Sequence, residues 1–206
     1  MTNSGDAGNE FSQVIDNFLP EDHFKNLYDF FMGTGMIWNY NDMVDYPGEN
    51  EDQFQFTHTF FTSYEQKGFV SPLSDVVRPF LDLLKVKVLI KIKANLILKG
   101  ESHMEGRFHY DHELVGSRLP DGTLTSYTAI YYINTNNGYT LFKDGNYKVD
   151  SVANRLVIFD STKLHKAVNC TDERRRIVIN FNYLTPHYGT TDQYEKSIKL
   201  FNEANA

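Results

Sequence analysis

The sequence predicts a mostly β fold, an antiparallel sandwich or barrel with helices at its N-terminal end. Three observations predict it. Apolar residues recur with a helical period near the start, in 24–31 and again in 73–84. From residue 86 the period drops to two. The later segments are then separated by Asp121-Gly122, Asn137-Gly138 and Asp144-Gly145, with no helix-sized stretch among them. Strands joined by short turns cannot run parallel, because a parallel pair needs a crossover.

The elements follow in order. Residues 1–10 have neither a basic stretch nor an apolar one, so a short disordered tail and no secretory signal are expected. The domain proper is expected to run from 11 to 206, with helical support over 20–84 and a barrel over about 86–183. After Leu19-Pro20, Phe24, Leu27, Tyr28 and Phe31 fall on one helical face, with Glu21 and Asp22 in the first turn. Phe54–Phe61 reads as a short strand. A second helix is expected after Ser71-Pro72, with Ser71 as N-cap and Pro72 opening the first turn. Leu73, Val76, Val77, Phe80, Leu81 and Leu84 carry its apolar face, and Pro79 predicts a kink or an early stop.

Over residues 86–98, Val86, Val88, Ile90, Ile92, Ala94, Leu96 and Leu98 form an apolar face fit for packing under helices. Lys87, Leu89, Lys91, Lys93, Asn95, Ile97 and Lys99 lie on the other. Further strands are expected at Arg107–Asp111, Ser126–Asn134, Tyr139–Phe142, Arg155–Phe159 and Arg176–Tyr183. A terminal helix is expected within Tyr188–Ala206, where Tyr194, Ile198 and Phe201 share a face.

Composition excludes several functions. The chain has 206 residues and a net charge of −7, which repels phosphate backbones and makes nucleic acid an unlikely partner. The single cysteine, Cys170, excludes an intramolecular disulfide and a Cys-built zinc site, and a reducing, cytoplasmic setting is expected. Lysines 87, 91 and 93 break the longest apolar region, so it cannot span a bilayer.

Residues two apart on a strand share a face, so His109 and Asp111 project together as two ligands of a divalent ion would. Taken alone, the pair reads more readily as a strand-end histidine bonded to its neighbour. His103-x-Glu105 is a weaker second candidate, because Gly100–Gly106 reads as a turn. His165, just past the Arg155–Phe159 strand, supplies a third ligand. Two imidazoles and one carboxylate on one triangular face leave octahedral positions open, the non-haem Fe(II) arrangement. Three arginines then enter the last strand. Alternation puts Arg174, Arg176, Val178, Asn180 and Asn182 on one face and Ile177, Ile179 and Phe181 on the other. A buried arginine needs an anion, and its planar fork suits a carboxylate. Arg176 is the deepest, Arg174 the reserve, and Arg175 is expected in solvent.

This order of His-x-Asp, distal His and strand-heading Arg resembles the Fe(II)/2-oxoglutarate-dependent oxygenases, and the prolyl-4-hydroxylase-like branch with its small phage and bacterial members most of all. The resemblance rests on Val14–Pro20, Phe108–Asp111, Ile130–Asn134 with Asn137–Phe142, and Leu156–Ser161 leading to His165 and Arg176. It implies a double-stranded β-helix, a jelly-roll or cupin-like barrel. It further implies iron held by His109, Asp111 and His165, with dioxygen and 2-oxoglutarate as co-substrates and ascorbate for sustained turnover. The far carboxylate of 2-oxoglutarate would pair with Arg176 and with Tyr132, whose strand face also carries Thr128. Asn95, Ile97, Asn180 and Asn182 share inward faces and are read as lining the pocket. Closeness to this branch implies hydroxylation of a peptidyl proline or a small amino-acid-like molecule.

Asn137 replaces a glycine and Tyr139 an acidic residue of the usual pattern, and the His165–Arg176 interval is slightly long, so Arg174 and Arg176 both stay open as the anchor. A non-catalytic cupin-like binding protein is the alternative, and a sandwich with incidental ligands a third. His58 is a minor candidate for facing substrate, while Trp38 and Tyr40 read as core.

Overall fold

The computed structural model describes residues 12–42, 54–111 and 124–186. The expected tail at 1–10 and terminal helix within 188–206 lie outside them. The described chain is mostly strand: β1 (Ser12–Ile15), β2 (Asn39–Asn41), β3 (Gln55–Thr62), β4 (Gly68–Phe69), β5 (Val88–Leu98), β6 (Thr125–Tyr132), β7 (Tyr139–Phe142), β8 (Lys148–Asp150), β9 (Arg155–Asp160), β10 (His165–Val168) and β11 (Arg175–Thr185). Two helices precede the barrel, α1 (Glu21–Met32) and α2 (Arg78–Leu83).

All strand pairs are antiparallel. The larger sheet runs β1-β9-β6-β11-β5-β3-β2, with β4 added on β3, and the smaller runs β10-β7-β8. Alternation divides the larger sheet's side chains between two cores. On its outer face Ile92, Ala94, Tyr131, Ile177, Ile179 and Phe181 pack with Leu27 and Phe31 of α1 and Phe80 and Leu83 of α2. On its inner face Ile130, Tyr132, Val157, Phe159 and Val178 meet Phe142 and Val149 of the smaller sheet. The apolar faces read for β5 and β11 are thus the helix-covered ones.

The second helix departs from expectation. Ser71 does not cap a helix; its Oγ accepts from the Leu73 amide at 3.0 Å, and the chain makes a 3-10 turn over Ser74–Val76. Proline inside a helix lacks a donor and clashes with the carbonyl one turn back. The chain therefore restarts at Arg78, with Pro79 in the first turn, where no donor is needed. Trp38 packs at the core beside Phe31, whereas Tyr40 is exposed and leans on Phe54 and Phe56.

Asn154 fastens the segment before α1 to the larger sheet. It takes a left-handed φ of 61°, which asparagine tolerates. Its Oδ1 accepts from the Leu19 amide at 2.9 Å and the Tyr131 hydroxyl at 2.8 Å, and its Nδ2 donates to Leu19 O at 2.8 Å. Burial pushes the Tyr131 hydroxyl pKa up, so it stays a donor. Asn154→Ala is expected to destabilise by about 3 kcal/mol, since each buried group left unpaired costs ~1–3 kcal/mol. A lowered urea midpoint at unchanged slope would register it; an unchanged midpoint would refute it.

Candidate metal centre

The site lies between the sheets. His165 opens β10 and is not a loop residue, as its place after the Arg155–Phe159 strand had suggested. His109 pairs with it in an isolated antiparallel bridge, its N–H donating to His165 O at 3.0 Å and its carbonyl oxygen accepting from the His165 N–H at 3.2 Å. This pairing sets the two imidazoles side by side, ring centroids 4.9 Å apart. The expected Arg107–Asp111 strand does not form. Bridges at Glu105↔Val168 and His109↔His165 leave one residue more on the 105–109 side, a bulge-like surplus that breaks the ladder.

Asp111 nevertheless turns back between the histidines. Its Oδ1 lies 3.6 Å from Nε2 of each, and the three potential ligand atoms lie within 4.8 Å of one another. Each Nδ1 is turned toward the carbonyl two residues earlier, Arg107 O at 2.9 Å and Lys163 O at 3.1 Å. Nδ1 must carry the proton in such a contact, which directs each Nε2 lone pair to the centre. When the imidazoles are protonated Nε2 donates instead: burial opposes ionisation of Asp111, but the charge of His165 and hydrogen bonds from both histidines then hold its pKa well below the usual carboxylate value. Asn182 donates to Asp111 at 3.2 Å and to Thr128 at 3.1 Å, and Asn180 Nδ2 lies 3.5 Å from both carboxylate oxygens. Two imidazoles and a carboxylate converging from one side suit a divalent transition metal with open coordination positions.

The pocket beside this cluster encloses about 480 Å³, counting its mouth, and Arg176, Thr140, Asn95, Lys93 and Gln55 are among its walls. Arg176 is 2% exposed. Its Nε donates to Ser151 Oγ at 2.8 Å and its Nη2 to Thr140 Oγ1 at 3.1 Å, and its guanidinium stands 5.5 Å from the Tyr132 ring centre. These partners are neutral, and burial lowers the Arg176 pKa. Tyr132 stands at this end, its hydroxyl donating to Thr140 at 2.8 Å. The two arginines left open differ in exposure: Arg174 is exposed, whereas Arg176 is enclosed. Arg175 is half-buried rather than solvated, and donates to the Met32 carbonyl at the end of α1.

The other sequence candidates separate in the same way. Thr128 reaches the site only through Asn182. Glu105 pairs with Lys166, and His103 packs against Tyr139, so neither joins the cluster. His58 faces the helical side, bonded to Ile37 O and Ser71 Oγ at 2.7 Å each. Sequence reasoning missed Thr140, Ser151, Gln55 and Lys93 as neighbours of the pocket. Thr140 lay within the quoted Asn137–Phe142 motif; nothing in the sequence marked Ser151.

Gly138 leaves the room Arg176 occupies. A Cβ there would stand 2.8 Å from Arg176 Cδ, Asn136 Oδ1 and Val168 O alike. Gly138→Ala is expected to cost about 1–3 kcal/mol, as overpacking does, and to shift Arg176. A melting temperature equal to wild type would contradict it.

No family model matches the sequence, and no curated protein matches it. Solved structures do. The chain is similar to the viral collagen prolyl hydroxylase of Paramecium bursaria Chlorella virus-1, solved with 2-oxoglutarate, at 14% identity and TM-score 0.51 over 85% of this chain and 96% of that one. It is similar to a prolyl hydroxylase of Trichoplax adhaerens, solved with a hypoxia inducible factor peptide, at 15% identity and TM-score 0.52 over 92% and 86%. It is also similar to SnoN, a non-haem, α-ketoglutarate-dependent epimerase of nogalamycin biosynthesis, at 10% identity and TM-score 0.56 over 89% and 84%. At these identities the likeness is one of architecture: the chain has the double-stranded β-helix fold of the 2-oxoglutarate oxygenases, in the form found in the prolyl hydroxylases.

Proposed function

We propose that the chain is an Fe(II)- and 2-oxoglutarate-dependent oxygenase that hydroxylates an aliphatic C–H bond of a peptidyl proline or a small amino-acid-like substrate. One observation carries the reading. Arg176 is buried beside a three-ligand cluster, and its hydrogen-bond partners are the neutral hydroxyls of Ser151 and Thr140. A buried cation without a counter-charge is costly, so the pocket is built for an anion.

In this reading His109, Asp111 and His165 hold the iron and Arg176 holds the distal carboxylate of 2-oxoglutarate. Fe(II) there supplies the dioxygen chemistry that couples decarboxylation of 2-oxoglutarate, to succinate and CO2, with hydroxylation. The protein's part is positional. Arg107 O and Lys163 O fix the imidazoles, while Asn180 and Asn182 orient Asp111. Thr140 and Tyr132 steady the anchor, and Ile130 and Val178 supply apolar wall between anchor and cluster. A cytoplasmic setting belongs to the same proposal, in keeping with a lone cysteine that is buried; no helix among the described residues is long and apolar enough to cross a membrane. A protein that only held a metal would have no use for a guanidinium held in this way.

The test is succinate release from 2-oxoglutarate with Fe(II), oxygen and ascorbate over a panel of peptides and amino acids. Release that requires both iron and a substrate supports the proposal. Failure of the protein to bind either Mn(II) or 2-oxoglutarate would end it.

A further inference from the structure

The wall built by β5 and the middle of β11 carries its own chemistry. On β5, Asn95 stands opposite Val178 and Lys93 opposite Asn180 of β11, while Thr57 of β3 stands beside Asn95. Asn95, Lys93, Asn180 and Gln55 all line the pocket. Asn95 is 8% exposed, yet its Oδ1 has no hydrogen-bond partner. Asn180 Oδ1 is likewise buried and unpartnered, because the amide's nitrogen is the end turned to Asp111. Buried acceptors left unmade are expensive, so two in one pocket call for a donor-bearing ligand. Lys93 adds a cation on the same wall; an ammonium has three donors, so a contact elsewhere still leaves it able to hold an anion.

Resting on the oxygenase reading, we propose that this wall is the primary-substrate subsite and that the substrate is a free α-amino acid. Its α-ammonium donates to the Asn95 and Asn180 oxygens, and its carboxylate pairs with Lys93. A proline within a peptide fits this wall poorly. Its nitrogen carries no hydrogen and its carbonyl no charge, so both asparagine oxygens would stay unpaired.

The test uses the full chain loaded with Mn(II) and 2-oxoglutarate without oxygen, followed by thermal shift with free L-amino acids, their carboxamides and N-acetyl derivatives, and a proline-rich peptide. At least one free amino acid is expected to raise the melting temperature further and to stimulate succinate release once iron and oxygen are supplied. Its carboxamide and N-acetyl forms should bind about 10-fold more weakly or worse, since each leaves a polar group unpaired. Lys93→Gln and Asn95→Leu should lose the amino-acid shift and keep the shift from Mn(II) with 2-oxoglutarate. Should Asn95→Leu fail to fold, the comparison of amino acid with its carboxamide decides on wild-type protein. Peptide binding and turnover with every free amino acid inert would overturn the assignment and leave the oxygenase standing. Absence of any shift with Mn(II) and 2-oxoglutarate would remove the oxygenase reading, and the subsite with it.

Discussion

Arg176→Met is expected to abolish 2-oxoglutarate binding without weakening the ligand-free protein. The two effects share one cause. In the empty pocket the guanidinium is enclosed, and its hydrogen bonds go to the hydroxyls of Ser151 and Thr140. Its desolvation is therefore only partly offset, and burial lowers its pKa accordingly. An apolar side chain of similar length removes that cost, and exchanges of this kind are often neutral or stabilising by about 1–4 kcal/mol. Thr140 still accepts from Tyr132, so the exchange leaves only Ser151 Oγ without its side-chain partner, a cost of about 1–3 kcal/mol set against the desolvation it removes. With ligand the balance reverses. Losing one partner of a buried charge pair costs about 2–5 kcal/mol, or roughly 30- to 5,000-fold in affinity. Wild type at about 100 times the dissociation constant should gain roughly 2.7 kcal/mol from 2-oxoglutarate. Arg176→Met should gain nothing measurable, and Arg176→Lys should fall between, keeping the charge and losing the fork. Calorimetry of 2-oxoglutarate binding in Mn(II), with a melting curve of each ligand-free variant, checks both halves. A ligand-free Arg176→Met protein several kcal/mol weaker than wild type, together with a wild type indifferent to 2-oxoglutarate, would make Arg176 a structural residue.

The legible parts of this fold are those where a long period met a real surface. In β5, Ile90, Ile92, Ala94 and Leu96 alternate with Lys91, Lys93 and Asn95, and the sheet has helices on one side and a pocket on the other. The same alternation separated Ile177 and Ile179 from Arg176 and Val178. The short strands β1, β2, β4, β8 and β10 were not legible, because two to four residues carry no period; β7 is as short and was read because the Asn137-Gly138 and Asp144-Gly145 turns bracket it. Pairing to a distant neighbour decides them: Ser12–Ile15 becomes a strand because β9 offers it an edge. For the metal cluster the residue types were readable and the backbone was not. His109 and Asp111 were placed on a strand, yet they converge through a bulged segment docked on β10, with His109 tied by one bridge to His165. The arginine ambiguity could not be resolved from spacing, since Arg174 and Arg176 share a parity. It yields to depth: Arg176 registers with Ile97 inside the sheet, and Arg174 precedes β11. Gly138 is legible only afterwards, once the side chain it makes room for is known.

His165→Ala should cost the protein most of its affinity for a divalent metal, and His58→Ala should cost it none. Both are buried histidines packed on a phenylalanine ring, so general loss of packing cannot separate them. His165 is 3% exposed and rests on Phe159, with ring centroids 4.8 Å apart; His58 is 5% exposed and rests on Phe60 at 4.6 Å. What differs is the use of the ring nitrogens. His58 has a close partner for each, Ile37 O and Ser71 Oγ, and burial lowers its pKa, so it serves as a neutral hydrogen-bonding strut. His165 has Lys163 O at Nδ1 and turns Nε2 to the carboxylate of Asp111. Removing either ring leaves a cavity, and each ligand-free variant should melt below wild type. Removing His165 also takes away one of three ligand atoms, whose loss should exceed the 10- to 100-fold effect typical of outer-shell changes, so an affinity drop of at least ~100-fold is expected. The measurement is the Mn(II)-induced rise in melting temperature, each variant referred to its own metal-free curve. Wild type and His58→Ala should show the same rise, and His165→Ala should show almost none. A His165→Ala protein that keeps the full Mn(II) response would mean that His109, Asp111 and His165 do not act as one site, and the role proposed for Arg176 would then need another explanation.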